Sequence, residues 1–266
     1  SISVREELER YIIYWKWFLL GTIISLGCAY LYLRYTPSKY SVQAKILIKD
    51  NQKSGASAEL SAFQDLGIIG VGSVNNVDNE IEIIKSRKLV GNVIKKLNLS
   101  ISYYFESRVT KTEKYNSQVK IILEKKDKDF YLQDLTYFLK IENGNVFSLF
   151  DEIGNIVVEG KINEKIYLDK VGEITIVKQK EEEFKDLSVI VKFSPLDDLI
   201  DNYTGRIKIT PANKQSSIVN LSFKDVINEK VKNFLNSLIE EYNNDAVLDK
   251  NQVSEKTNEF IAKRLK

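Results

Sequence analysis

The 266-residue sequence contains no histidine, no methionine and a single cysteine. Without histidine it lacks the commonest general base near neutral pH and the commonest transition-metal ligand. Cys28 has no second cysteine to pair with, so an internal disulfide is excluded, and without histidine a transition-metal site is not expected. No cofactor and no metal are therefore expected. The sequence also has no G-x-x-x-x-G-K-[ST] loop for nucleotide phosphates, no H-E-x-x-H, no G-x-S-x-G and no C-x-x-C. The stretch Gly70-Val71-Gly72-Ser73-Val74-Asn75 begins like a dinucleotide-binding turn. Asn75 stands where the third glycine belongs and no strong apolar strand precedes it, so it reads as a small-residue loop. Carboxylate pairs such as Asp197-Asp198 and Glu240-Glu241 are adjacent in sequence. On a helix such neighbours point about 100° apart, so they do not face each other as an acid/base pair would. The chain is accordingly read as non-enzymatic.

Charge of either sign is not in excess: 39 Lys and Arg stand against 37 Asp and Glu, a net charge of +2. Nucleic acid would call for a strong basic surplus, and mixed runs such as Glu124-Lys125-Lys126-Asp127-Lys128-Asp129 read as solvated faces. Methionine is absent even at position 1. The last residues, Ile261 to Lys266, follow a helical pattern with no stop signal. Both observations lead to the expectation that the sequence is part of a longer protein.

Long charge-free apolar runs are scarce as well. One exists, within WFLLGTIISLGCAYLYLRY from Trp17 to Tyr35, charge-free as far as Leu33. Its apolar part spans about 17 residues, roughly 25 Å as a helix. Apolar residues upstream, from Tyr11 to Trp15, extend it toward the roughly 30 Å of a bilayer core. Trp17, Leu19, Ile23, Leu26 and Leu33 are taken as membrane-facing, and Lys16 is near enough to the end to reach the headgroups. Aromatics flank both ends, as at membrane interfaces. No polar face recurs at helical period, as a core helix would require. No small-residue cleavage site follows, as a signal peptide would require. Basic residues on the short N-terminal side (Arg5, Arg10, Lys16) narrowly favour that side being cytoplasmic.

Beyond this span, Tyr40 to Lys49 alternates as a strand, Ala56 to Leu66 reads as a short helix, and Gly67 to Asn76 reads as a loop. Asp78 to Leu97 shows helical spacing, with lysines at its end and Asn98 to close it. Short strand-like runs follow: Val119–Leu123, Tyr137–Ile141, Val146–Phe150, Ile156–Glu159, Lys165–Leu168 and Glu173–Lys178. Asn143-Gly144 and Gly154-Asn155 mark tight turns between them. Leu187 to Phe193 is a further strand, and Pro195 is expected at the first position of a short helix. After strands at Arg206–Ile209 and Ile218–Phe223, residues 225–266 read as one helix of about 40 residues. Val231, Leu235, Leu238, Tyr242 and Ala246 make its first apolar stripe, and Phe260 belongs to a later one. A helix this long is expected to outrun its own core and to pack on another chain.

The expected fold is α+β. It comprises a cytoplasmic tail (1–16), a transmembrane helix (17–35), a mixed α/β base (36–105 and 187–224), an inserted all-β module (106–186) and a long C-terminal extending helix (225–266).

Several stretches, in this order, resemble the Wzz/Wzc-type polysaccharide co-polymerases, the chain-length determinants. They are RYTP with YSVQAKILI (residues 34–48), NEIEIIKSRKLV (79–90), SSIVNLS (216–222) and TNEFI (257–261). The resemblance covers about residues 5–105 and 187–266, and the β-rich insert resembles the extra part of larger members fused to tyrosine autokinases. A second span and a kinase, known in such members, are not in these residues. The resemblance implies a non-catalytic scaffold in the bacterial inner membrane, with its bulk periplasmic. Such scaffolds form homo-oligomeric rings that set the length of capsule, exopolysaccharide or O-antigen chains. The implied partners are membrane lipid, a polysaccharide polymerase, outer-membrane export machinery and the polysaccharide itself. On this footing Glu80, Glu82, Arg87, Val231, Leu235 and Phe260 are expected at subunit contacts, and Gly67, Gly70 and Gly72 on the inner side of the ring. Two other classes compete. A single-span sensor or receptor ectodomain would need a ligand pocket in its β-rich part. A periplasmic adaptor of a secretion system would need a helical hairpin between two halves of a lipoyl-like domain.

Overall fold

A computed structural model describes residues 14–36, 38–48, 76–106, 111–179, 186–213 and 216–264. The expected helix at Ala56–Leu66 and the loop bearing Gly67, Gly70 and Gly72 lie outside the described residues. The chain divides into two units, residues 1–39 and 40–266.

The described part of the first unit is helix α1, Trp15–Tyr35, with none of its 21 residues buried. At about 1.5 Å per residue it is close to 32 Å long, the thickness of a hydrocarbon core. Its mean hydropathy is 1.4 over the best window, long and apolar enough to cross a membrane. Trp17, Leu19, Ile23, Leu26 and Leu33 are all exposed on it. The Thr22 hydroxyl donates to the Phe18 carbonyl at 2.8 Å, so the helix supplies a partner for its own polar side chain, as a lipid-facing segment must.

The second unit mixes helices with antiparallel strands. Strand β1 is Tyr40–Leu47, followed by helices α2 (Asn76–Ile84) and α3 (Arg87–Lys96). The single helix expected over 78–97 is thus two. Ser86 has extended backbone (φ −58°, ψ 144°), and its hydroxyl accepts from the Leu89 N–H, capping α3 and ending α2. At the far end Asn98 turns left-handed (φ 52°). The Leu99 and Asn98 N–H groups then reach back to the carbonyls of Ile94 and Lys95, a Schellman closure that favours Asn or Gly at that position.

From Ile101 to Phe193 the described residues form strands and one short 3-10 turn. The strands are β2 (Ile101–Glu106), β3 (Lys111–Glu113), β4 (Val119–Lys126), β5 (Leu135–Glu142), β6 (Val146–Phe150), β7 (Ile156–Lys161), β8 (Lys165–Leu168), β9 (Gly172–Lys178) and β10 (Leu187–Phe193). They pair as β3-β2-β10-β5-β6-β7 and as β4-β9-β8. Asn143 and Gly144 both have positive φ, 50° and 65°, the left-handed pair that a tight hairpin requires. Helix α4 (Leu196–Arg206) follows, with Pro195 at its N-cap, one position before the place expected for it. Strands β11 (Lys208–Pro211) and β12 (Ile218–Asp225) complete a third sheet, β1-β12-β11. The chain then enters α5, Asn228–Arg264, a helix of 37 residues.

Two hydrophobic cores result. One joins α2, α3, α4 and the start of α5 to the β1-β12-β11 sheet through Ile84, Leu89, Val93, Ile200, Phe223 and Leu235, among others. The other lies between the six-stranded sheet and the β4-β9-β8 sheet around Leu139, Phe147, Ile174 and Val191. On α5 the fully buried apolar residues are Val231, Phe234, Leu235 and Leu238. Their 3-4 spacing is one helical stripe, whose burial contributes about 6–12 kcal/mol as an upper figure. The stripe ends early: Val247 and Leu248 are each 57% exposed.

Gly91 lets α3 approach α4, because a Cβ there would lie 3.0 Å from Ile200 Cδ1. Gly172 is more constrained. Its φ is +112° and an added Cβ would meet the Lys125 carbonyl oxygen at 2.1 Å, opposite the bulge at Leu123/Lys125 in β4. Gly172→Ala is therefore expected to lower the thermal midpoint strongly, since the clash is with backbone. Gly154→Ala has φ +96° but open space, and is expected to cost only the left-handed penalty of about 1–2 kcal/mol. Equal midpoint losses in the two variants would contradict this.

Candidate functional site

Among the described residues, the two buried charged side chains, Asp225 and Lys230, lie at the root of α5. β12 ends at Asp225, and one oxygen of its carboxylate accepts from the Val226 N–H at 2.6 Å and the Ile227 N–H at 3.4 Å. The other takes Arg206 Nη2, from the end of α4, at 2.6 Å. The same Arg206 nitrogen reaches the Lys224 carbonyl at 2.6 Å. One arginine and one aspartate thus tie α4, β12 and the turn into α5. The negative charge before the first turn also suits the helix dipole.

In the first turn of α5, Lys230 donates to Glu113 Oε1 of β3 at 2.6 Å, with 9% and 17% of the two side chains exposed. Beneath it Tyr203, Phe223 and Phe234 form a cluster with ring centroids 4.8–5.4 Å apart. Arg206 lies 4.7 Å over the Phe223 ring and Lys230 5.9 Å from the Tyr203 ring, distances at which cations are attracted to aromatic faces. Two further bonds fasten α5 to the segment after β3. Asn116 Nδ2 donates to Glu229 at 2.7 Å, and Asn233 Nδ2 to the Tyr115 hydroxyl at 3.3 Å. Between them a cleft of about 240 Å³ opens, lined by Tyr103, Glu113, Tyr115, Lys120, Gln179 and Lys230, among others.

Burial works against the charge on Lys230, but Tyr203, Glu113 and Asp225 outweigh it and raise its pKa above that of an ordinary lysine. Burial likewise opposes the Asp225 carboxylate, and the Arg206 hydrogen bond and Lys230 charge reverse that, lowering its pKa. Burial pushes the Tyr203 phenol up to about 12, partly offset by Lys230, and pushes Tyr103 up to about 12, partly offset by its bond from the Ile121 N–H. Tyr242 is raised by burial and then by its hydrogen bond to Glu80.

The residues singled out in the sequence are distributed otherwise. Val231 and Leu235 are expected at subunit contacts, but they are 0% and 1% exposed inside the chain's own core. The helical stripe was visible in the sequence; that the helix packs on α3, β1 and β12 of the same chain was not. Arg87, 55% exposed at its side chain, pairs with Asp197 at 2.8 Å and also with Asp201, one turn apart on α4. Glu80 accepts from the Tyr242 hydroxyl at 2.8 Å. Lys88 and Lys96 add pairs to Asp245 and to Glu240 and Glu241. This face of α2 and α3 is therefore joined to α4 and α5 of the same chain. Glu82 is exposed. Phe260 lies on the helical backbone of α5, and its side chain is outside the described residues. Among the described residues no cluster of three metal-ligating side chains occurs.

Removing one member of the Lys230–Glu113 pair leaves a buried charge. Lys230→Met is expected to destabilise the chain by about 3–5 kcal/mol, and adding Glu113→Leu to recover most of that. Equilibrium unfolding of the single and double variants in detergent checks this. A double variant as unstable as the single one would contradict it. The two tyrosines predict an alkaline limb. In the unfolded chain they release protons near 10.0, and in the fold near 12. Stability is therefore full below pH 10 and falls as pH rises from there toward 12. Asp225, lowered from 3.8, gives the opposite limb: its contribution is present above pH 3.8 and is lost as pH falls below that. Thermal midpoints across pH read both, and Tyr203→Phe should shallow the alkaline limb.

Comparison with known proteins adds a likeness in sequence to this geometry. The chain is similar to a tyrosine-protein kinase, ptk, of Acinetobacter johnsonii, 27% identical over 285 aligned positions that cover 100% of this chain and 38% of that protein. It is also similar to the tyrosine-protein kinase wzc of Salmonella typhi, 25% identical over 94% of this chain and 34% of that protein. The chain thus spans about a third of the length of these curated relatives. The kinase of their names lies outside these residues, which hold no P-loop. Residues 2–97 match the family described as Wzz, chain length determinant protein.

Proposed function

We propose that this chain is the membrane-anchored, oligomeric and non-catalytic scaffold of a polysaccharide co-polymerase. In this role it regulates the length and export of a capsule, exopolysaccharide or O-antigen chain. The observation that carries the reading is the match of residues 2–97 to the chain length determinant family, a match that takes in all of α1. Helix α1 anchors the chain in the bacterial inner membrane, with residues 1–16 cytoplasmic and the bulk periplasmic. Residues 36–105 and 187–224 form the base and 106–186 the β-rich insert. The separate cores support two parts, with the boundary nearer 100 and 194, because Ile101, Tyr103, Val189, Val191 and Phe193 lie in the core of the β-rich part. So does the pairing of β2 with β10, because the chain leaves the base and returns to it through neighbouring strands. A polysaccharide polymerase, outer-membrane export machinery and the polysaccharide are the partners. A tyrosine kinase, as in the relatives' names, would act alongside the scaffold.

Subunits meet in a ring through the part of α5 beyond Ala246, where the chain's own core no longer covers the helix. Val247 and Leu248 are exposed there and Phe260 follows. Glu82, on the open face of α2, is a second contact. Glu80 and Arg87 act within the subunit, holding α2 and α3 against α5 and α4, so they support the ring from inside each copy. The loop with Gly67, Gly70 and Gly72 lines the inner side of the ring. The adaptor alternative needs a helical hairpin. The long helix α5 instead follows directly from β12 of the β1-β12-β11 sheet, which favours the scaffold.

Mass measurement of the whole chain in detergent tests this. A defined multi-subunit assembly is expected for the wild type, with a shift to smaller species for Val247→Asp/Leu248→Asp and for Glu82→Lys. A wild type that stays monomeric at micromolar concentration overturns the scaffold. Variants that assemble like wild type overturn these contacts.

A further inference from the structure

The cleft beside the root of α5 has the size and chemistry of a ligand site. Its volume of about 240 Å³ falls below the roughly 300–1,000 Å³ typical of drug-sized pockets, which suits a single sugar ring. Its walls carry side-chain amides and hydroxyls: Asn116, Asn233, Gln179, Ser117 and Tyr115. Such groups both donate and accept, as the vicinal hydroxyls of a sugar demand. Asn116 and Asn233 use an amide N–H toward Glu229 and Tyr115, while an amide oxygen has two lone pairs to offer. The walls are held in place. The Lys230–Glu113 pair and the Tyr103 hydroxyl, which accepts from the Ile121 N–H at 2.8 Å, fix them from behind, so binding would order little that is not ordered already.

Charge narrows the class. The lining includes Lys114, Lys120 and Lys230 against Glu113. Lys230 is neutralised by Glu113, which leaves the positive field of Lys114 and Lys120 at the cleft. Lys120 is exposed on β4, between buried Val119 and Ile121. Lys114 Nζ stands 4.5 Å over the Phe105 ring.

We propose that the cleft between the root of α5 and residues 113–121 binds one acidic monosaccharide unit, a uronate, of the glycan that the scaffold handles. The identification of the ligand as a glycan rests on the function proposed above; the preference for an acidic unit comes from the lysines. A unit seated there touches β3, β4 and α5 together. Its occupancy would therefore stiffen the joint from which the long helix leaves.

Titration of the whole chain in detergent, followed by amide NMR shifts, tests the site with glucuronate, glucose and acetate as probes. Glucuronate is expected to shift residues of the cleft in a saturable way, glucose at least fivefold more weakly, and acetate not at all. Lys120→Ala is expected to weaken glucuronate at least fivefold without changing the thermal midpoint, and Gln179→Ala to weaken glucose and glucuronate alike. Lys111→Ala, outside the cleft, should change neither. Should Lys120→Ala fold poorly, Lys120→Gln removes the same charge with a side chain of similar reach. Acetate binding as well as glucuronate, or glucuronate binding that ignores both cleft variants, overturns the proposal. A chain that assembles in the mass measurement but takes up no glucuronate overturns the cleft and leaves the scaffold standing.

Discussion

The fold of the second unit depends on two ion pairs at one joint. Asp225 with Arg206 closes β12 onto α4 and steers the chain into α5. Lys230 with Glu113 binds the first turn of α5 to the β-rich part. A partly buried pair of this kind adds little net stability over an apolar replacement, because desolvation offsets most of the attraction. What it adds is direction. The apolar stripe of α5 would tolerate small rotations about the helix axis, whereas a lysine that must meet a glutamate on β3 permits one. The aromatic cluster of Tyr203, Phe223 and Phe234 supplies the burial on which that direction is imposed.

From this joint the character of α5 changes along its length. Its first turns are core, its middle is held by Lys88, Lys96 and Glu80 reaching from α2 and α3, and past Ala246 it carries exposed apolar residues. Exposed ion pairs of the middle section contribute little each, so they set alignment rather than stability. Helix α1 obeys a different solvent rule: every residue is exposed in the isolated chain and its threonine hydroxyl bonds to its own backbone, as hydrocarbon surroundings require. On the proposed function, anchoring would fall to α1 and assembly to the exposed end of α5.

Much of this was legible in the sequence where the signal is local. Val146–Phe150, Lys165–Leu168 and Leu187–Phe193 are strands at the bounds their alternation suggests. Asn143-Gly144 marks its hairpin because few residues accept two left-handed conformations in a row. The break at Ser86 was missed because apolar spacing runs on across it; the serine three residues before Leu89 was the available cap signal. The joint was not legible at all. Glu113 and Lys230 stand 117 residues apart, and in a chain with charged residues in nearly every run nothing marks which two will meet. Val231 and Leu235 show the same limit. A helical stripe states that a face will be covered and leaves open whether the cover is the same chain or another one.

A scaffold for a polysaccharide co-polymerase needs an anchor, a firm base and a surface left over for its own copies, and each has a residue-level counterpart here. The most direct measurement of that account is the length distribution of surface polysaccharide, resolved by electrophoresis, from cells with the protein intact and cells with its gene deleted. The account predicts a preferred chain length that is lost on deletion and restored by the wild-type protein. An unchanged distribution in the deletion strain would contradict it.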